Sequence, residues 1–190
     1  KLVIPFTASR KFFTKILIFI ATKWIRNNNI LFSKILGVKV HVTGETDLPS
    51  KEWYMVISNH QSWSDIVVLQ MVLNGRIPLL KFFIKQELIW VPLLGIAWWS
   101  LDFPFMKRFS AEFLKENPSM KGKDIEITRK ACEKFKYTPV SVMSFVEGTR
   151  FTQLKHTNQS SPYVNLLKPK AGGTGFVFSA MGEQLHCILN

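Results

Sequence analysis

Cysteine, acidic side chains and long uncharged apolar runs are all scarce in this chain of 190 residues, and each scarcity removes an explanation. Cys132 and Cys187 lie far apart and form no CxxC pair, which excludes a disulfide scaffold. His41, His60, His156 and His186 show neither HExxH nor Cys/His ligand spacing, so no metal and no other cofactor is expected. The most apolar early stretch, residues 12–25, is interrupted by Lys15 and Lys23, and the uncharged piece between them runs only from Ile16 to Thr22. That falls short of the roughly 20 apolar residues a membrane-spanning helix needs, and the stretch has no signal-peptide cleavage pattern. No internal repeat is present, and proline and glycine are scattered rather than gathered into linkers.

What remains is apolar and basic. Hydrophobic residues make up 47% of the chain, with 16 Phe and 6 Trp, enough for the core of one compact domain and too much for disorder. Lys and Arg number 25 against 13 Asp and Glu, leaving a formal charge of +12 that calls for an anionic partner. A nucleic acid is disfavoured, because there is no zinc-finger spacing, no glycine-interleaved aromatic RNA-binding strand and no long basic run. A non-catalytic membrane-binding protein and a serine hydrolase are the other competitors; Ser62, Ser64 and Ser144 lack the GxSxG turn that exposes a nucleophile.

On a helical projection, Lys11, Lys15, Lys23 and Arg26 fall within an arc of about 120°, with Phe13, Leu17, Ile20 and Trp24 opposite. Such a helix either packs on the protein's own core or lies in an anionic headgroup layer, where each basic residue adds about 1 kcal/mol. The run Asn27-Asn28-Asn29 is expected to break it before a short second helix over 30–36. From residue 38, strand-like runs alternate with helical patterns: strands over 38–43, 53–57, 77–83, 140–146 and 186–189, buried β-structure over 95–105, and helices over 64–73, 123–135 and 175–181. Ile125, Thr128, Cys132 and Phe135 share one face of the helix over 123–135. The pattern predicts an α/β fold over 38–190, a central mostly β-sheet flanked by helices, with an N-terminal amphipathic membrane-associated helical segment over 1–37. The polar stretch 151–165 reads as a mobile loop suited to a lid.

Two clusters carry chemistry. The segment Ser58-Asn59-His60-Gln61-Ser62-Trp63-Ser64-Asp65 follows an apolar strand and leads into a helix. On one continuous helix, His60 and Asp65 would stand about 140° apart, but a loop histidine and a first-turn aspartate meet if the chain doubles back. An imidazole oriented by a carboxylate is a general base near neutral pH, whereas the plain alternative is a loop histidine beside a helix-terminal charge. Glu147-Gly148-Thr149-Arg150 closes the second strand with a carboxylate, a flexible turn, a hydroxyl and a guanidinium. That set suits an anionic oxygen cluster, or is an ordinary glycine turn with a Glu–Arg surface pair.

With both clusters in this order, residues 50–190 resemble the membrane-bound glycerolipid acyltransferases of the lysophosphatidic acid acyltransferase type. Their His-x4-Asp block is similar to His60–Asp65, their Glu-Gly-Thr-Arg block to Glu147–Arg150, and a block between them to Lys85-Gln86-Glu87-Leu88, Pro92, Gly95 and Phe105-Met106-Lys107-Arg108. Lys170-Ala171-Gly172 resembles a further Lys-Ala-Gly element, and Lys107 stands where many members carry an acid. The run over 85–108 is especially like bacterial inner-membrane members. The resemblance implies transfer of a fatty acyl group from acyl-CoA or acyl carrier protein, as co-substrate, to a lysophospholipid hydroxyl, 1-acyl-glycerol-3-phosphate first among them. It implies His60 as base, Asp65 as its orienting partner, and Glu147, Gly148, Thr149, Arg150, Arg108 and Lys85 as the phosphate site. Asn59 and Lys170 become donor or acceptor contacts. The implied setting is the bilayer of a bacterial inner membrane, with the site on the cytoplasmic side.

Overall fold

A computed structural model of the chain describes residues 7–44, 47–106, 111–117 and 123–190. Arg108 and its neighbour Lys107 lie outside the described residues. The centre is a four-stranded sheet of β1 (Trp53–Ser58), β2 (Leu80–Phe82), β5 (Ser141–Phe145) and β6 (Leu185–Leu189), in the order β2-β5-β1-β6. Every pair in it is parallel. Strands buried on both faces need apolar residues at successive positions, and Tyr54-Met55-Val56 and Val142-Met143 supply them. Two strands, β3 (Ile84–Lys85) and β4 (Phe105–Met106), form a separate small parallel sheet.

The strand period of two sorts the core into layers. Met55 and Val142 join Cys132, Phe135, Val177 and Met181 in one cluster, carried by α5 (Lys123–Glu133), which follows the short α4 (Ala111–Glu116), by the 3-10 turn after α5 and by α7 (Ala171–Met181). Tyr54, Val56 and Met143 point the other way, onto Ile77, Leu80 and the Leu69 and Leu73 side chains of α2 (Ser64–Leu73). The result is an α/β sandwich with helices on both faces of the sheet. Lys81 is buried on β2, its Nζ 4.7 Å from the centroid of the Phe135 ring. Burial pushes the Cys132 thiol up to about 12, leaving it a small apolar filler rather than a nucleophile.

The N-terminal helix, α1 (Thr7–Ile30), runs through the three asparagines and on into a π-helical turn, Leu31–Ile35. Each asparagine costs a helix only about half a kcal/mol, too little to stop one of this length. The stop comes at Gly37, whose φ of +64° is open to glycine, with the Val38 N–H closing back onto the Phe32 carbonyl. Ile25 is buried, and the helix meets α2, where Asn74 Nδ2 donates to the Thr22 carbonyl. Of the side chains assigned to its apolar face, Phe13, Ile20 and Trp24 are exposed, as are Phe12 and Phe19.

Three further expectations are corrected. Residues 38–43 form no strand: the alternation is present, but the segment pairs with neither sheet and all but Val40 of its side chains are exposed, so neither face of it is buried. Residues 94–100 are α3 (Leu94–Ser100), a helix and not buried β-structure, with Ile96 and Trp99 in the open. The stretch 151–165 contains α6 (Gln153–Gln159), capped by the Thr152 hydroxyl, which accepts from the Lys155 N–H. The turn after it is tied by Ser161 Oγ donating to the Leu166 carbonyl and by Lys168 N–H donating to Gln159 Oε1.

Candidate functional site

The two clusters meet because β1 and β5 are adjacent, parallel and in register, with Ser58 opposite Phe145. Both strands therefore release their chains at the same edge, the carboxyl ends where parallel α/β sheets leave a crevice. His60 is two residues beyond Ser58 and Glu147 two beyond Phe145, so 87 positions of sequence collapse to one contact: the His60 main-chain N–H donates to Glu147 Oε1 at 2.7 Å. The Phe151 N–H donates to the His60 carbonyl at 2.7 Å, and Val146 N–H to the Ser58 carbonyl at 3.2 Å. The loop of one cluster is thus stitched to the turn of the other.

Asp65 opens α2 and folds back onto the loop before it. Its Oδ2 accepts from the Gln61 N–H at 2.7 Å and the Ser62 N–H at 2.8 Å, and meets His60 Nδ1 at 2.8 Å. Partial burial alone would push the carboxyl up, but the Ser62 N–H, the His60 side chain and the Gln61 N–H together bring it below the ordinary carboxylate range. An ionised carboxylate only accepts, so Nδ1 carries a proton, and in the neutral ring Nε2 is the nitrogen with the lone pair. Nε2 has no hydrogen-bond partner among the described residues. The imidazole lies flat on Phe145, centroids 3.9 Å apart at 14°, so one face is shielded and the ring cannot tilt away from Asp65. An imidazole oriented by a carboxylate in this way has the geometry a general base needs.

Glu147 has a different task from the one the sequence suggested. It is fully buried, and with Oε1 on the His60 N–H, its Oε2 accepts from the Leu167 N–H at 2.9 Å. Its oxygens face main chain within the protein, where a carboxylate holds two loops together rather than facing an anion. Gly148 turns the chain at φ +68°, and a Cβ there would also press on Lys170 Cδ at 3.3 Å. Lys170 itself is exposed, with its N–H donating to the Val146 carbonyl at 2.7 Å.

Arg150 lies with its Cζ 4.3 Å from the centroid of Trp63, a side chain from the middle of the His60 loop. A cation held over an aromatic face keeps N–H donors for an acceptor such as a carboxylate or phosphate. The turn is held from α6: Lys155 Nζ donates to Thr149 Oγ1 at 2.8 Å and to the Arg150 carbonyl at 2.9 Å. Neither Trp63 nor Lys155 was singled out from the sequence. Trp63 was hidden in plain view between His60 and Asp65, while Lys155 sits in the stretch read as a mobile loop. Asn59 is exposed at the start of the His60 loop, its main-chain carbonyl accepting from Ser58 Oγ. Lys85 makes no hydrogen bond or ion pair with this cluster among the described residues; it is exposed at the end of β3, in the separate sheet. Ser62 Oγ and Ser64 Oγ bond to each other at 2.8 Å and not to His60, so no serine is paired with the imidazole among the described residues.

The family model described as Acyltransferase matches residues 39–185. Among curated proteins, the chain is 30% identical over 138 residues to human 1-acyl-sn-glycerol-3-phosphate acyltransferase alpha, covering 66% of this chain and 44% of that protein. It is 36% identical over 118 residues to the 1-acyl-sn-glycerol-3-phosphate acyltransferase of Saccharomyces cerevisiae, covering 61% and 34%. It is 33% identical over 124 residues to 1-acyl-sn-glycerol-3-phosphate acyltransferase 3 of Arabidopsis thaliana, covering 63% and 30%. The chain thus spans less than half the length of these relatives. No solved structure matches it significantly.

Proposed function

The chain belongs to the acyltransferase family, and from that premise we propose that it moves a fatty acyl group from an acyl thioester to the free hydroxyl of a lysophospholipid, 1-acyl-glycerol-3-phosphate being the acceptor the relatives' names favour. The observation that carries this reading is the 2.8 Å contact of His60 Nδ1 with an acceptor-only Asp65, in a loop whose His60 carbonyl is tied to the Phe151 N–H, next to Arg150.

The chemistry runs in one displacement. His60 Nε2 takes the proton of the acceptor hydroxyl as its oxygen attacks the thioester carbonyl, and Asp65 stabilises the imidazolium so formed. The tetrahedral intermediate collapses, the C–S bond breaks, and the imidazolium returns the proton to the departing thiolate. An ester and a free thiol are the products, with no acyl-enzyme. Arg150 holds the acceptor phosphate through its in-plane donors, with Thr149 and Lys170 within the same strand-end crest. Glu147 and Lys155 are positioning residues: one fixes the His60 loop, the other the Arg150 turn.

Carrier, CoA or acyl carrier protein, is a matter of donor surface, and the cationic excess suits the phosphates of either. No helix among the described residues is long and apolar enough to cross a membrane. The exposed Phe12, Phe19 and Trp24 of α1, with Lys11, Lys15, Lys23 and Arg26 also in the open, support an interfacial helix that holds the site against an anionic leaflet. The cytoplasmic face of a bacterial inner membrane fits that reading, since the donor thioester is cytosolic.

The test is thiol release in detergent from a panel of acyl thioesters and lysophospholipids, run beside His60→Ala. Release that requires both a thioester and 1-acyl-glycerol-3-phosphate, and falls about 10²- to 10⁴-fold in the variant, is expected. Thiol release at full rate without any acceptor would point instead to hydrolysis through a covalent enzyme, and wild-type turnover in His60→Ala would remove the base.

A further inference from the structure

We propose that the spur formed by residues 88–99 is a second membrane contact, separate from α1, which inserts Trp90, Leu93 and Ile96 into an anionic lipid bilayer. The spur runs from the 3-10 turn Gln86–Trp90 through Val91-Pro92-Leu93 into α3. Three observations converge on it.

The backbone is tightly specified. Leu93 has φ +64° and ψ −51°, and the Leu94 N–H reaches back to the Pro92 carbonyl at 2.7 Å, closing a γ-turn of the strained hand around a leucine. Behind it, buried Gly95 lets α3 sit directly on the preceding turn, because a Cβ there would collide with the Ile89 carbonyl. Strain and close packing are spent on holding a tip whose side chains touch almost nothing. Trp90, Leu93 and Ile96 are 86%, 83% and 69% exposed.

The tip is also free of charge. From Leu88 to Leu101 there is no Asp, Glu, Lys or Arg, in a chain where those four make up 20%. A docking surface for another protein normally carries a polar rim around its apolar centre. An uncharged protrusion, with Trp99 half-exposed behind it, fits a fluid that offers no hydrogen bonds at depth and favours tryptophan at its boundary. The third observation is the overall charge of +12, complementary to an anionic leaflet. Lipid binding is read without turnover, so the proposal stands or falls apart from the acyl-transfer reading.

The experiment uses the whole chain with vesicles of phosphatidylcholine mixed with phosphatidylglycerol. Trp90→Ser/Leu93→Asn, with α1 untouched, should sediment with them at least about tenfold more weakly than the parent, because two large apolar side chains no longer leave water. Both sites are exposed, and asparagine, unbranched at Cβ like the leucine it replaces, adds no steric demand at the γ-turn, so the melting temperature should hold. As a second readout, an environment-sensitive dye on Ile96→Cys in a Cys187→Ser background should shift to the blue with vesicles and be quenched by brominated lipid. Sedimentation within twofold of the parent, with the dye remaining water-like, overturns the proposal. So does a dye that shifts to the blue with protein concentration alone, which would assign the spur to a second copy of the chain.

Discussion

The crest of the sheet and the outward surfaces of α1 and the spur are built on opposite plans. At the crest, the carboxylates of Asp65 and Glu147, the carbonyls of His60 and Arg150 and the ammonium of Lys155 all have partners within the chain. The exposed faces of α1 and the spur offer apolar side chains that the chain itself does not cover. Closed polar groups fix geometry at the cost of tolerance, since removing one partner orphans another. Open apolar groups contribute little to folding and gain only when something outside covers them. Substitutions should therefore act through geometry in one region and through partition in the other.

The largest effect is expected at Asp65. Asparagine offers one carbonyl oxygen and a donor where three N–H groups now converge, so the imidazole loses the partner that fixes its tautomer. Asp65→Asn should lower kcat about 10²- to 10⁴-fold with little change in acceptor KM, measured by thiol release. A pH series sharpens it. The Asp65 carboxyl titrates in the folded state below its ordinary 3.8, so its stabilising contribution is whole above that value and is lost as pH falls through the lower folded value. Thermal melts should show that loss only in acid, and Asp65→Asn should remove this part of the slope.

Arg150→Ala comes next. Charge-assisted contacts to a phosphate are worth about 1.5–3 kcal/mol, so the acceptor KM should rise about ten- to a hundredfold. An acceptor lacking the phosphate should be affected far less, and an equal loss for both would place Arg150 outside the phosphate site. Glu147→Gln should act on stability: its amide turns a donor toward either the His60 or the Leu167 N–H, leaving a buried group unsatisfied for about 1–3 kcal/mol. Chemical denaturation checks it, and a midpoint equal to the parent's would show that the two loops are held by other contacts.

The parts of the fold legible in the sequence are those where local pattern and burial agree. Residues 53–57 and 142–143 are apolar at successive positions because parallel strands are covered on both faces, and 64–73 has helical spacing because α2 covers one of those faces. Residues 94–100 mislead for a physical reason: two adjacent tryptophans suggest a buried strand, but Gly95 lets a helix close on the turn before it, with Ile96 and Trp99 on its exposed side. The His60 and Glu147 clusters were visible as chemistry, yet their meeting depends on the β1–β5 register, a tertiary fact. Glu147 could not be told from an anion-site residue, since only burial distinguishes a carboxylate facing main-chain donors from one facing water. Lys155 carried no signal because a lysine in a polar stretch is unremarkable until the turn it grips is in place.

The smallest effect on folding is expected on α1, and its smallness is the informative part. Phe12 and Phe19 are each 61% exposed, so replacing both with serine removes little that the folded chain had buried, and stability should stay within about 0.5 kcal/mol of the parent. If the helix lies in a headgroup layer, the same pair should weaken binding to anionic vesicles about tenfold or more. If instead the double variant loses stability and keeps its vesicle binding, α1 is a structural helix whose aromatic side chains cover the protein itself. The contrast between a closed crest and an open apolar surface would then narrow to the spur alone.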